Sequence, residues 1–191
     1  IKFDYAVLTN IPPEHVEAHG GFDKYRATKI KFFEFVAKNR NATAVVNADD
    51  YSAELFLTPP FIKKIKYRGG DLNYFNPLLG EFNKANAAAA VKIAELLGLG
   101  REQIEATLKS FPGVPGRLEF VQREPFTVIV DYAHTPDALR KVYQTLRSVP
   151  SVVEGRSKLI CVLGAAGGGR DKWKRPEFGK IAAEFCDEII L

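Results

Sequence analysis

The sequence contains no methionine, so Ile1 is not a translation start, and the chain reads as a fragment of a longer protein trimmed at both ends. Its last residues, Asp187-Glu188-Ile189-Ile190-Leu191, look like a strand cut off as it begins. A secretory leader can be neither found nor excluded in such a chain. Long apolar runs are missing too. The longest, around Ala87 to Val91, falls far short of the ~18 residues a bilayer-spanning helix needs, so no membrane partner is expected. Cysteine is scarce: Cys161 lies in an apolar strand pattern and Cys186 near the end of a helix. Neither has metal-ligand spacing, and both are expected as reduced core thiols of a cytoplasmic protein. Charge of one sign is not in large excess either. Twenty-seven basic against 23 acidic residues leave a net charge of +4. That suits an anionic small-molecule substrate and is too weak to argue for nucleic acid, which is not expected as a partner. Internal repeats and low-complexity segments are absent.

What remains is an ordinary globular composition over 191 residues, 46% hydrophobic and 26% charged. The length corresponds to ~1.3 average domains. Short apolar runs at 5–9, 43–46, 62–67, 126–131 and 158–163 read as strands. Residues 22–39, 83–97, 104–111, 136–146 and a stretch through 182–185 carry helical spacing, and a short helix is expected at 52–57. Gly98 ends one helix as a C-cap, while Thr135-Pro136 begins another with a capping hydroxyl and an N1 proline. Alternation of strands and helices predicts an α/β fold with a mostly parallel sheet. The texture changes at Pro112-Gly113-Val114-Pro115-Gly116, which places the boundary between two partial domains, 1–113 and 114–191.

Four places could carry chemistry. Lys29 lies four residues after Tyr25 and three before Phe32, on the apolar stripe of its helix. Either it snorkels its ammonium to the stripe's edge, or it is a buried amine able to react or to bind an anion. His15 and His19 are four apart and could ligate a metal, although a histidine beside Gly20 also suits a helix cap. Asp131 follows a β-branched strand, and His134 precedes a helix start. At such a strand end a carboxylate can accept ribose hydroxyls and a histidine can face a phosphate, or the aspartate can simply cap the next turn. The loop from Gly164 to Lys172 superficially resembles a dinucleotide fingerprint. However, Arg170, Lys172, Lys174 and Arg175 replace the small residues that should open its helix. Those cations could receive a carboxylate or phosphate, or could be a solvated helix start.

Six segments, in order, resemble the Mur ligases. They are Thr9-Asn10 through His15 with His19-Gly20, Tyr25 and Lys29; Asn47-Ala48-Asp49-Asp50; Leu79-Gly80-Glu81-Phe82-Asn83 with Asn86; Gly116-Arg117-Leu118-Glu119; Asp131-Tyr132-Ala133-His134-Thr135-Pro136-Asp137; and Arg170-Asp171-Lys172 with Lys174-Arg175-Pro176. The fifth string favours the MurE type, which adds the third amino acid of the peptidoglycan precursor. The resemblance implies the second half of a central ATPase domain followed by the first half of a Rossmann-like C-terminal domain. It implies an ATP-dependent ligase that joins a diamino acid to UDP-N-acetylmuramoyl-L-alanyl-D-glutamate through an acyl phosphate. ATP and Mg2+ are the expected cofactors, and the UDP-linked muropeptide and an amino acid the expected partners of a monomer.

Residue by residue, the resemblance implies that Lys29 is carbamylated and, with His15, holds magnesium. Asn83 and Asn86 match positions at the adenine, Arg117, Asp131 and His134 positions around ribose and phosphates, and Arg170 a contact to the incoming amino acid. The family's Gly-Lys-Thr phosphate loop, its UDP-holding domain and its Asp-Asn-Pro-Arg motif are not among these residues, so the chain by itself is expected to be inactive. Glu14 stands where the family usually has aspartate, and the stretch 69–78 is shorter than the family's β-rich insertion. Two other readings stay open: another ligase of the superfamily, such as a folylpolyglutamate synthase or a cyanophycin-synthetase-like enzyme, or a nucleotide-binding module without ligase activity. Whether diaminopimelate or lysine is added is not legible here.

Overall fold

The computed structural model describes residues 1–13, 19–148, 158–164 and 172–191, which divide into two compact units, Ile1–Phe111 and Pro112–Leu191. In the first, three strands, β1 (Tyr5–Leu8), β2 (Thr43–Asn47) and β3 (Lys63–Tyr67), form a parallel sheet in the order β1-β2-β3. Helices α1 (Phe22–Ala37), α2 (Ala53–Phe56), α3 (Glu81–Leu96) and α4 (Arg101–Ser110) surround it, with a 3-10 turn at Gly69–Asp71. Every residue of β2 is buried, as a central parallel strand covered on both faces requires.

Alternation along β2 separates two cores. Ala44 and Val46 face a cluster containing Phe33 and Val36 of α1, Phe56 of α2, and Phe61. Val45 points the other way, to Tyr67 and to Ala88 and Ala89 of α3. Phe33 is the hub of the first core, edge-on to Phe56 at 5.0 Å and to Phe61 at 6.1 Å. Alanines on α3 let the helix approach the sheet closely. Its C-terminus is closed by Gly98 at φ +83°, where the Gly98 N–H donates to the Glu95 carbonyl.

In the second unit β4 (Glu119–Gln122) pairs with β5 (Val128–Val130), and β6 (Ile160–Val162) pairs with β7 (Glu188–Ile190). The β6–β7 pair is parallel. The β4–β5 pair is antiparallel, beside the parallel β1–β2, β2–β3 and β6–β7 pairs that the expected mostly parallel sheet contains. β4 escapes sequence reading because it is four residues long, begins on Glu119 and is flanked by Arg117, Arg123 and Glu124, so no apolar alternation marks it. Helices α5 (Pro136–Ser148) and α6 (Lys174–Phe185) pack together, burying Leu139, Val142, Tyr143 and Leu146 on one and Phe178, Ile181 and Ala182 on the other. Thr135 caps α5, its hydroxyl accepting the Ala138 N–H at 3.2 Å.

The cysteines are a correction. Cys161 and Cys186 form a disulfide with Cα atoms 6.1 Å apart, and no free cysteine is present among the described residues. α6 returns the chain to the start of β7, beside β6, so two residues 25 apart in sequence become neighbours. Spacing alone could not show this. Among the described residues no helix is long and apolar enough to cross a membrane.

Gly69 sits where the chain after β3 crosses α3. A Cβ there would lie 3.1 Å from the Ala85 backbone nitrogen and 3.2 Å from its Cα, whereas one at Gly70 would meet nothing within 4 Å. Gly69→Ala should therefore cost about 1–2 kcal/mol of stability in urea melts, as overpacking against a helix backbone does. Gly70→Ala should stay within about 0.5 kcal/mol of the parent.

Candidate functional site

The first unit gathers its polar residues at the carboxyl ends of the strands, where open α/β sheets bind ligands. Asn47 ends β2 and donates from Nδ2 to the Thr9 carbonyl at 2.8 Å, while its Oδ1 accepts the Asp49 N–H at 3.0 Å. Asp50 accepts the Ile11 N–H on one oxygen and the Ser52 N–H on the other, both at 2.8 Å. Asp49 accepts the Gly69 N–H at 3.2 Å and lies 3.4 Å from the Arg68 guanidinium. The turn after β2 thus holds the chain leaving β1 and the chain leaving β3. Tyr67 completes the arrangement from below, its hydroxyl donating to the Leu8 carbonyl at 3.1 Å. Burial, and secondarily the Asp49 charge, push that phenol up to about 12.

Lys29 differs from the buried amine that its stripe allowed. By helical angle it falls with Tyr25 and Val36, yet its side chain is exposed, and its ammonium lies 5.4 Å from the centroid of the Tyr25 ring. The snorkelling alternative describes it better. His19 approaches the same ring at 5.2 Å, so Tyr25 carries a histidine and a lysine together. Phe32, also expected on the stripe, is 43% exposed, while Phe33 and Ala37 take the buried positions. His15 lies outside the described residues. Among those described, no group of three His, Cys, Asp or Glu residues could hold a metal ion. Asn83 and Asn86 stand on the first turns of α3. Asn83 Nδ2 donates to the Leu79 carbonyl at 2.7 Å, and Asn86 Nδ2 reaches Asn83 Oδ1 at 3.4 Å.

In the second unit Asp131 directly follows β5, and both its oxygens are engaged. One accepts the Leu118 N–H at 2.8 Å and the other the Ala133 N–H at 2.7 Å. The capping alternative therefore holds, and it does more than cap. It clasps the turn at 116–118, whose Leu118 adopts φ +45°, to the end of the strand. Second lone pairs on a carboxylate remain available to a further donor. Arg117 is exposed, its guanidinium 4.6 Å from the Tyr132 ring centroid; His134, also exposed, lies 5.0 Å from the same ring. The N-terminus of α5 follows immediately, a favourable setting for an anion.

The expected basic cluster is only partly as read. Lys172 and Arg175 are exposed, Lys174 is buried, and Arg170 lies outside the described residues. Tyr132 carries no signal in the sequence beyond its place in the Asp131–Asp137 motif. Sequence reading missed a cleft of about 290 Å³ between the end of β3 and α3, lined by Arg68, Tyr74, Lys92 and Arg101 among others. The cleft's cations are paired with carboxylates: Arg68 with Asp49, Lys92 with Glu95, and Arg101 with Glu105.

A Mur ligase middle domain profile matches residues 1–68, and a Mur ligase glutamate ligase domain profile matches residues 116–191. The chain belongs to the Mur ligase family. UDP-N-acetylmuramoyl-L-alanyl-D-glutamate--2,6-diaminopimelate ligases from Thermosynechococcus vestitus and Gloeobacter violaceus are 35% and 38% identical to it. Each alignment spans all of this chain and 43% of the relative. A UDP-N-acetylmuramyl-tripeptide synthetase from Roseiflexus is 36% identical over 99% of this chain and 43% of its own length. This Mur ligase chain thus spans under half the length of those curated relatives. A solved structure of a diaminopimelate ligase superposes with TM-score 0.63 at 28% identity, covering 97% of this chain and 43% of that one. MurF from Acinetobacter baumannii reaches TM-score 0.74 at 21% identity over 97% and 46%, which shows a shared fold alone.

The Tyr67 phenol sets a pH signature for this Mur ligase chain. Its folded-state value stands above the ordinary 10, so its contribution to stability is fully present below pH 10 and is lost as pH rises towards about 12. Urea melts at pH 9, 10, 11 and 12 should show a shallower alkaline loss for Tyr67→Phe than for the parent. Parallel curves would mean that the phenol is not held as described.

Proposed function

We propose that this chain serves an ATP-dependent amide-bond ligase of peptidoglycan precursor synthesis, a monomeric cytoplasmic enzyme. It adds 2,6-diaminopimelate to UDP-N-acetylmuramoyl-L-alanyl-D-glutamate. One observation carries this reading: relatives named for that reaction align along the whole chain at 35–38% identity. In the reaction a substrate carboxylate takes the terminal phosphoryl group of ATP, giving an acyl phosphate and ADP. The amine of the incoming amino acid then attacks the acyl carbon, and inorganic phosphate leaves. Negative charge gathers on phosphoryl oxygens, so fixed cations are the main help a protein can give.

The described residues suit that task. Arg117 and His134 are exposed beside a helix N-terminus and are assigned to ribose and phosphates, with Asp131 behind them. Asn83 and Asn86 carry the paired donor and acceptor that an adenine edge requires. Lys29 is exposed, so once its ammonium gives a proton to water the neutral amine can add dissolved carbon dioxide, and the carbamate so formed would offer oxygen atoms, the donors magnesium prefers, alongside His15. Magnesium, when bound, neutralises phosphate charge and orients it for transfer. Arg170 is assigned to the carboxylate of the amino acid. A folylpolyglutamate synthase complex superposes at TM-score 0.72 but only 17% identity, so it supports the fold and not that substrate.

The test is phosphate release by this chain extended to the length of its relatives. Release should require ATP, the UDP-linked dipeptide and diaminopimelate together. Release driven by a folate and glutamate, or none with any acid and amine, would replace the reading by one of its two alternatives. Within that enzyme Lys29→Ala should abolish ligation, and a short carboxylic acid in the buffer should restore part of it. Turnover within a few-fold of the parent would remove the carbamate. Arg170→Ala should raise the KM for the amino acid ~10-fold, the worth of a charge-assisted contact, and leave that for ATP unchanged. Arg170→Lys should recover only part, because an ammonium lacks the planar fork. Steady-state kinetics with each substrate varied in turn decides the matter.

A further inference from the structure

Tyr132 has no role in the function described above, yet it touches two of the residues assigned to the nucleotide. Its ring is 62% exposed and lies 4.6 Å from the Arg117 guanidinium and 5.0 Å from the His134 imidazole. Its backbone is fixed on both sides. The Tyr132 N–H donates to the Gly116 carbonyl at 2.8 Å, and the Tyr132 carbonyl lies 3.2 Å from His134 Nδ1. Asp131, one residue earlier, grips Leu118 and Ala133, so the two chain segments that carry Arg117 and His134 are tied together at their backbones. Tyr132 stands between them.

We propose that Tyr132 is a positioning residue of the nucleotide site. It holds the Arg117 guanidinium and the His134 imidazole against one ring, so that both are presented in a single orientation. The proposal rests on the reading of Arg117 and His134 as nucleotide-facing. An exposed arginine has many rotamers, and a ligand that orders it loses affinity to that freedom. A ring face attracts the guanidinium electrostatically and removes much of that cost before the ligand arrives. Nδ1 donates to the Tyr132 carbonyl, so the imidazole is held both by its own backbone turn and by the ring beside it. The phenol hydroxyl is not part of the argument, so phenylalanine should serve as well as tyrosine.

Two measurements test this. In the 191-residue chain, the His134 ring-proton resonances should carry a ring-current shift that is lost in Tyr132→Ala and kept in Tyr132→Phe. In the ligase of full relative length, Tyr132→Ala should raise the KM for ATP by about tenfold, leave the KM for the amino acid within about twofold, and leave the melting temperature unchanged. Tyr132→Phe should match the parent. The proposal is overturned if Tyr132→Ala leaves the KM for ATP within about twofold of the parent, if it raises both KM values alike, or if Tyr132→Phe behaves like Tyr132→Ala. Arg117→Ala and His134→Ala separate the two levels of inference. If neither raises the KM for ATP, the nucleotide reading fails and Tyr132 falls with it. If both do and Tyr132→Ala does not, only the positioning role is wrong.

Discussion

The turn Asn47-Ala48-Asp49-Asp50 is the constraint on which the first unit depends. β2 is buried along its whole length, so the chains leaving β1 and β3 on either side need hydrogen-bond partners close to a dry core. Asn47 and Asp50 supply them to Thr9 and Ile11, and Asp49 supplies one to Gly69. A backbone N–H received by a carboxylate forms a charge-assisted bond, stronger than a neutral pair and directional enough to fix a loop. Such loops would otherwise diverge after their strands. Here the chains at Thr9, Ile11 and Gly69 are anchored to one turn.

The second unit repeats the device with different residues. Asp131 follows β5 as Asp49 and Asp50 follow β2, and it too accepts backbone N–H groups from a neighbouring segment, at Leu118 and Ala133. Each unit also sets a tyrosine ring between a histidine and a long basic side chain. In the first, Tyr25 is buried and carries His19 and Lys29; in the second, Tyr132 is exposed and carries His134 and Arg117. Each cation–ring contact at an exposed site is worth only about 0.5–1 kcal/mol, too little to matter for folding.

Legibility in the sequence followed the periodicity of each element. β2 was readable as a short unbroken apolar run closed by a polar turn, α3 and α5 because their apolar residues recur at helical spacing, and Thr135 and Gly98 because their capping roles are local. β4 was not readable, because four residues flanked by charge carry no period. The Cys161–Cys186 pairing was not readable either, since it depends on where α6 returns the chain. Lys29 shows a subtler limit. The helical angle correctly places it beside Tyr25 and Val36, but a long stem lets the charged end leave the face to which its Cα belongs. For the candidate site, the strings around Asp131 and Asn47 were recognisable as motifs. What they do was not, because their partners at Ile11, Gly69 and Leu118 come from distant sequence.

Those partners alter how the charged residues should be weighed. The strand-end carboxylates of these motifs, Asp50 and Asp131, have both oxygens engaged by backbone N–H groups. The cations that the same motifs contain, Lys29 and Arg117, are exposed, as is His134. Acidic charge is thus used inward, to hold loops, and basic charge is presented outward. A net charge of +4 spread over the chain says little about its ligands, but this local sorting says more. The exposed long side chains there are basic, and the nearby carboxylates are already stabilised by N–H donors. That sorting comes from strand-end turns that must form for the fold itself to exist.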